Sequence, residues 1–203
     1  MKAEVAGTEG YDEHAVELVA SWQRLSFTDR PQQVLQLFPQ RPSLIIDIGA
    51  GIGVDAAGLA ALGHQVVAVE PVAALREPGR HLHPSPNIEW IADALPGLGT
   101  LMTRAGTFDL VLLSAVWMHL DEGERKQGFE QVSALLRENG RIIMSLRHGP
   151  VPEGRRMFPV TSRETTEFAA QAGLRCTLEL HTQSVQQLNR SQGVTWTHLV
   201  YEK

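Results

Sequence analysis

The sequence predicts an α/β protein: a mostly parallel sheet with helices on both faces, closed at one edge by an antiparallel hairpin. Three observations carry this. Apolar runs alternate with helical segments from residue 44 to residue 146. Those runs are continuous rather than alternating polar and apolar, as in strands buried on both faces. The chain then ends in two strands with no helix between them, which suits an antiparallel pair.

Taken in order, Val16, Val19, Trp22 and Leu25 recur at helical spacing from Asp12 onward and predict a first amphipathic helix. Pro31 suits the first position of a second, with Val34, Leu35, Leu37 and Phe38 as its apolar face. The strand "LIIDI", a helix over 54–62 closed by Gly63, and the strand "QVVAVE" follow. Next come a short helix broken at Pro78-Gly79, the strand "NIEWI", a weak helix near 99–105 and the strand "FDLVLLS". Asp121, with Glu124 three residues on, forms a capping box for a long helix. That helix is expected to stop at "ENG", with Gly140 in the left-handed closing conformation, before the strand "RIIMSL". "TSRE" at 161–164 is a second capping box, for a helix ending at Gly173, and a polar segment joins the final strands near 174–181 and 194–202.

The 203 residues, 43% of them hydrophobic, suffice for one domain with a sizeable core, residues 1–203. Cys176 is the only cysteine, so no internal disulfide forms and a reducing, cytoplasmic location is expected. Acids interrupt the N-terminal segment where a signal peptide would be apolar, and no run reaches membrane-spanning length. The net charge of -5 argues against nucleic-acid binding, which needs clustered Lys and Arg. A local basic patch stands apart: Arg147, His148, Arg155, Arg156 and Arg163 against Glu153 alone, either a solvated loop or a site for an acidic substrate.

"DIGAGIG" turns a strand sharply into a helix, and glycines at 49, 51 and 53 let the backbone approach a ligand where a Cβ would collide. Asp47 and Asp55 place negative charge beside that turn, which repels a pyrophosphate and attracts a ligand carrying ammonium and sulfonium groups. Glu70 ends the next strand about 20 residues on, where an acid accepts the two hydroxyls of a ribose. An adenosine-bearing ligand is expected, and Val54, standing where the dinucleotide fingerprint needs its last glycine, disfavours a dinucleotide.

In "IIDIGAGIG", "VVAVEP", "IEWIADALPGL" and "FDLVLLSAVWMHLDEGERKQGFEQVSALLRENGRIIMSLRHG" the chain resembles the class I S-adenosylmethionine-dependent methyltransferases over roughly residues 40–150. The resemblance implies a Rossmann-like seven-stranded sheet whose last strand is inserted antiparallel, with residues 1–40 as a helical lid on a core of 41–203. It implies S-adenosylmethionine as cofactor and S-adenosylhomocysteine as product. Gly49, Ala50 and Gly51 would line the methionine portion, with Asp55 beside them, and Glu70 and Pro71 the ribose. Asp93 would face the adenine amino group and Ala94 would donate a backbone N–H to the ring; Ser114 and Ala115 would pass near the sulfonium. Tyr11 would fold over the cofactor and Arg24 would reach its carboxylate.

Transfer of a sulfonium methyl is mainly in-line positioning. A general base helps an acceptor that must lose a proton. His148 and His119, at C-terminal ends of strands, are the candidates; Arg147 and His148 are expected at the substrate. Trp117 is a stacking wall or a buried support. The residues Ser114 to Trp117 lack the Asn/Asp-Pro-Pro-aromatic pattern of nucleic-acid amine methylators, and no paired glutamates mark a protein arginine methylator. The expectation is methyl transfer to O or N of a small molecule by a monomer or homodimer, without metal, nucleic-acid or membrane partners. The alternatives are a non-catalytic S-adenosylmethionine-binding protein and a nicotinamide or flavin oxidoreductase.

Overall fold

A computed structural model describes residues 5–203; residues 1–4, counted above in the lid, lie outside the described residues. The core alternates strand and helix: β1 (Leu44–Ile48), α3 (Val54–Ala61), β2 (Gln65–Val69), α4 (Ala73–Leu82), β3 (Ile88–Ile91), β4 (Phe108–Ser114), α5 (Glu122–Leu135) and β5 (Leu136–His148). Ahead of them stand α1 (Ala15–Trp22) and α2 (Gln32–Leu35); after them come α6 (Ser162–Gln171), β6 (Arg175–Gln183), α7 (Gln187–Ser191) and β7 (Thr195–Glu202). The seven strands lie in the order β3-β2-β1-β4-β5-β7-β6. β7 runs antiparallel to both β5 and β6, and the other pairings are parallel.

The continuous apolar runs have the cause expected of them. In β1, Ile46 and Ile48 face a cluster with Phe129, Val132 and Leu135 of α5, while Ile45 faces Ala56 and Leu59 of α3 on the other side. Phe27, Val34 and Phe38 join that second cluster, so residues 27–38 pack into the sheet's layer. Of the described N-terminal residues, those before Phe27 lie outside that cluster.

Several local expectations are corrected. α1 starts at Ala15 rather than Asp12, and Ala15 is its buried residue while Val16 is 80% exposed. α2 is a single turn. α4 runs through Pro78 unbroken; Gly79, packed against the Ile52 carbonyl and the Trp90 ring, lets it lie close to the glycine turn. The segment at 99–105 contains only a 3-10 turn, Met102–Arg104. α5 stops at Leu135, because Leu136 already pairs with Phe108, and Asn139 rather than Gly140 takes the positive φ. The link between β6 and β7 contains α7.

The capping box at Asp121 is complete in both directions. At Thr161 only half forms: its hydroxyl accepts from the Glu164 N–H. The Glu164 carboxylate is diverted to the buried Arg125 guanidinium, tying α6 to α5.

Candidate active site

Strand order reverses between β1 and β4, and crevices at such points bind ligands in open α/β sheets. Here the C-terminal strand ends open into a cavity of about 720 Å³, sized for a small-molecule site.

The glycine turn forms its floor. Gly49 and Gly53 have φ of 75° and 78°, and a Cβ on Gly49 would collide with the Val116 side chain. A Cβ on Gly53, the residue just before α3, would come within 2.6 Å of the Trp90 ring. The Glu70 side chain reaches back across the turn, accepting from Gly51 N–H at 2.9 Å and Val72 N–H at 2.8 Å. Burial raises its pKa to about 7 against the lowering pull of those two N–H groups and of Arg76. Each oxygen keeps a lone pair for a further donor.

Asp47, at the end of β1, is 1% exposed, and neither oxygen has a hydrogen-bond partner among the described residues; the Ala56 N–H is near without reaching full hydrogen-bond geometry. Burial, then the neighbouring Asp55 carboxylate, pushes its pKa well up, with Arg30 pulling the other way. Desolvated and unpaired, such a carboxyl is costly unless a ligand completes it.

Asp55 is in a different state. Both of its oxygens bond Arg30, at 2.6 Å to Nη1 and also to Nη2, and Arg30 further donates to Ser114 Oγ at 2.9 Å. The guanidinium lies 5.3 Å from the Phe27 ring and 5.9 Å from that of Phe38. Asp55 therefore answers Arg30 rather than offering a free charge, a correction to its expected role. Arg30 escaped the sequence reading; its signal is a charged residue directly after the Ser26–Asp29 capping box and before Pro31, where chain direction changes.

Of the expected cofactor residues, Tyr11, Gly49, Ala50, Gly51, Asp55, Glu70 and Pro71 line the cavity, as do Asp93, Ala94, Ser114 and Ala115. Two details differ. The Ala94 N–H donates to Asp93 Oδ1 at 2.8 Å and the Thr100 N–H to Asp93 Oδ2 at 2.9 Å, so the Ala94 donor is already engaged. Ala115 has φ of 59°, a conformation that costs a residue with a Cβ roughly 1–2 kcal/mol. Its N–H donates to Ser145 Oγ at 3.0 Å, which holds the turn after β4 against β5.

Arg24 is exposed and does not line the cavity; Arg30 is the arginine that enters. Trp117 is fully buried against Phe129 in the core, so it supports the loop and forms no wall. His148 also misses the cavity. Strand alternation turns Ser145 and Arg147 toward it and His148 away, and the His148 ring bonds Thr197 Oγ1 at 2.7 Å on the opposite face.

His119 does line the cavity. The Arg156 carbonyl can only accept, so His119 Nδ1 donates to it at 2.9 Å and Nε2 accepts from the Tyr11 hydroxyl at 3.0 Å. Burial pushes the His119 pKa down and the Tyr11 pKa up to about 12, so the imidazole is neutral and the phenol keeps its proton. The basic patch has mostly local partners. The Arg155 guanidinium lies 3.6 Å from the Tyr11 ring centroid, Arg156 bonds Glu124 and the His119 carbonyl, and Arg163 pairs with Glu167 on the surface. Arg147 and Arg155 reach the cavity. Gly10 touches Gly154 closely, so the N-terminal segment and the 149–158 loop together roof the cavity.

Beyond β5 the wall is Trp196 and His198 of β7 and Thr182 of β6, residues whose inward facing depends on a strand register that sequence does not reveal. Among the described residues, no helix is long and apolar enough to cross a membrane.

A family profile described as a methyltransferase domain matches residues 45–140. The chain is similar to the 1,6-didemethyltoxoflavin-N1-methyltransferase of Burkholderia thailandensis, solved with 1,6-didemethyltoxoflavin and S-adenosylhomocysteine. Identity is 20% and the TM-score 0.71 over 100% of this chain and 93% of that one. It is also similar to the magnesium protoporphyrin IX methyltransferase of Synechocystis PCC 6803, solved with S-adenosylmethionine, at 14% identity and TM-score 0.64, covering 96% and 80%. An S-adenosylmethionine-dependent methyltransferase of Methanosarcina mazei aligns at 13% identity and TM-score 0.69, covering 85% and 98%. At these identities the likeness is one of fold. No curated protein sequence matches the chain.

Proposed function

We propose that the chain, whose residues 45–140 match a methyltransferase-domain profile and whose fold is shared with S-adenosylmethionine-dependent methyltransferases, binds S-adenosylmethionine in the cavity and methylates N or O of a small molecule. The observation that carries this reading is Asp47: a buried carboxyl, without a partner among the described residues, beside the glycine turn. An ammonium group answers it, and the adjacent Glu70 oxygens retain lone pairs for the two ribose hydroxyls. Val54, at the position of the dinucleotide fingerprint's last glycine, argues against a nicotinamide or flavin cofactor.

Asp93 and Ala94 stand at the adenine end, where Asp93 first secures the loop and then has lone pairs to spare. Ser114 and Ala115 line the sulfonium end, and Ser114 keeps its hydroxyl proton to donate because its oxygen accepts from Arg30. The bound cofactor supplies a methyl carbon already activated by its sulfonium. What the protein adds is orientation, worth roughly 7–11 kcal/mol when an acceptor is held in line, and a roof of Tyr11, His119 and Arg155 that keeps water out.

The small-molecule acceptor class is supported by the roofed cavity and by the substrates named for the Burkholderia and Synechocystis enzymes. The test is incubation with methyl-labelled S-adenosylmethionine and a panel of phenols, N–H heterocycles, amines and carboxylates. Label is expected in at least one N or O acceptor with matching S-adenosylhomocysteine. Cofactor binding with no transfer to any class would mark a non-catalytic binding protein instead.

A further inference from the structure

The strand register sets three cavity-lining side chains in one row. Ser114 on β4 pairs with Ser145 on β5, and Ser145 pairs with His198 on β7. Registered neighbours share a face, and strands are spaced about 4.8 Å apart, so His198 stands about 10 Å along the sheet from Ser114. One rung nearer the strand ends, Arg147, Trp196 and Thr182 are likewise registered and likewise line the cavity. Together they form a wall of one indole, one imidazole and one guanidinium beside the proposed methyl-transfer point.

His198 is fixed and open at once. Its Nε2 is 3.1 Å from Thr182 Oγ1, a diagonal cross-strand bond that orients the ring. Among the described residues its Nδ1 makes no hydrogen bond. The other imidazole in the cavity, His119, has both ring nitrogens engaged, and His148 faces away. Burial, aided by the Arg30 charge, lowers the His198 pKa to about 4, so at neutral pH the ring has no charge to repel a sulfonium.

We infer that His198 is a catalytic residue, accepting a hydrogen bond at Nδ1 from the N–H or O–H group that is methylated and then taking its proton. The inference rests on the methyltransferase reading of the cavity given above. With Nε2–H donating to Thr182, Nδ1 carries the lone pair. The acceptor's lone pair forms the new bond to the methyl carbon as the carbon–sulfur bond breaks, its electrons passing to sulfur to give a neutral thioether. The proton leaves the acceptor for Nδ1, giving an imidazolium that returns it to solvent. The acceptor class is a planar phenol or N–H heterocycle, which can lie against Trp196 with a carbonyl or ring nitrogen toward Arg147.

A crystal structure of the S-adenosylmethionine complex tests this without knowledge of the acceptor. One reacting atom must sit about 3–3.5 Å from the methyl carbon and about 3 Å from Nδ1. The methyl carbon and Nδ1 are therefore expected within about 6.5 Å of each other, with open space between them. A wider separation, or an intervening side chain, overturns the role of His198; failure of the cofactor to bind overturns the underlying reading instead. In solution, His198→Ala is expected to keep the wild-type thermal shift with S-adenosylmethionine. It is expected to lose about 100-fold or more in kcat on the phenols and N–H heterocycles that the wild type methylates. Unchanged kcat, or loss of the thermal shift in a folded variant, overturns the assignment.

Discussion

Replacing Glu70 by Gln removes a carboxyl whose pKa burial raises from its ordinary 4.5 to about 7. A group that holds its proton more tightly folded than unfolded contributes stability that is fully present below pH 4.5 and is lost as pH rises through 7. At about 1.4 kcal/mol for each tenfold change in proton affinity, the whole loss is about 3 kcal/mol, of which about 2–3 kcal/mol falls between pH 5 and pH 8. The buried imidazoles act in the opposite direction, since the pKa values of His119 and His198 are lowered, and Asp47 acts in the same direction as Glu70. The assay is therefore urea unfolding of wild type and Glu70→Gln at both pH values, taking the difference between the two proteins at each. Those other groups largely cancel in that difference. The wild-type margin over the variant is expected to shrink by about 2–3 kcal/mol from pH 5 to pH 8. A margin independent of pH would refute the claim that Glu70 is held desolvated across the glycine turn.

Arg30→Met leaves Asp55 without its countercharge beside Asp47, and a loss of about 3–5 kcal/mol in urea unfolding is expected; a loss under about 1 kcal/mol would contradict the pairing. Trp117→Ala is expected to cost about 3–5 kcal/mol through the cavity it leaves against Phe129, with cofactor affinity unchanged in the folded fraction; weakened affinity with intact stability would restore Trp117 to the site. Tyr11→Phe removes the O–H that donates to Nε2 of neutral His119, so the His119 pKa, held down chiefly by burial, should rise while staying below its ordinary value in an NMR titration. An unmoved titration would mean that the hydroxyl does not bond the ring.

What was legible in the sequence is what local pattern encodes. The glycine turn, the acid ending β2, the Asp121 cap and the buried strands follow from residue types at short spacing, and the antiparallel end follows from two strands without a crossover helix. What was not legible depends on register and on contacts between distant segments. His148 and His198 both sit on strands at the cavity's rim, yet only pairing with Ser145 decides that His198 faces inward and His148 outward. Arg24 and Arg30 are six residues apart on the same N-terminal segment, and only packing on Phe27 and Phe38 brings Arg30 to Asp55. The same contact engages Asp55 and leaves Asp47 as the open acid. The basic patch, read as one feature, divides into Arg147 and Arg155 at the cavity and Arg156 and Arg163 in ion pairs outside it.

Calorimetric titration of S-adenosylmethionine into the wild type and into Asp47→Asn tests most directly whether the open acid at the end of β1 receives the cofactor's ammonium. The wild type is expected to bind one cofactor per chain with a Kd near the micromolar range, about -8 kcal/mol. Loss of a charge-assisted bond of about 1.5–3 kcal/mol should weaken Asp47→Asn by roughly 10- to 150-fold. Equal affinity in the two proteins, or no binding by the wild type, would contradict the account.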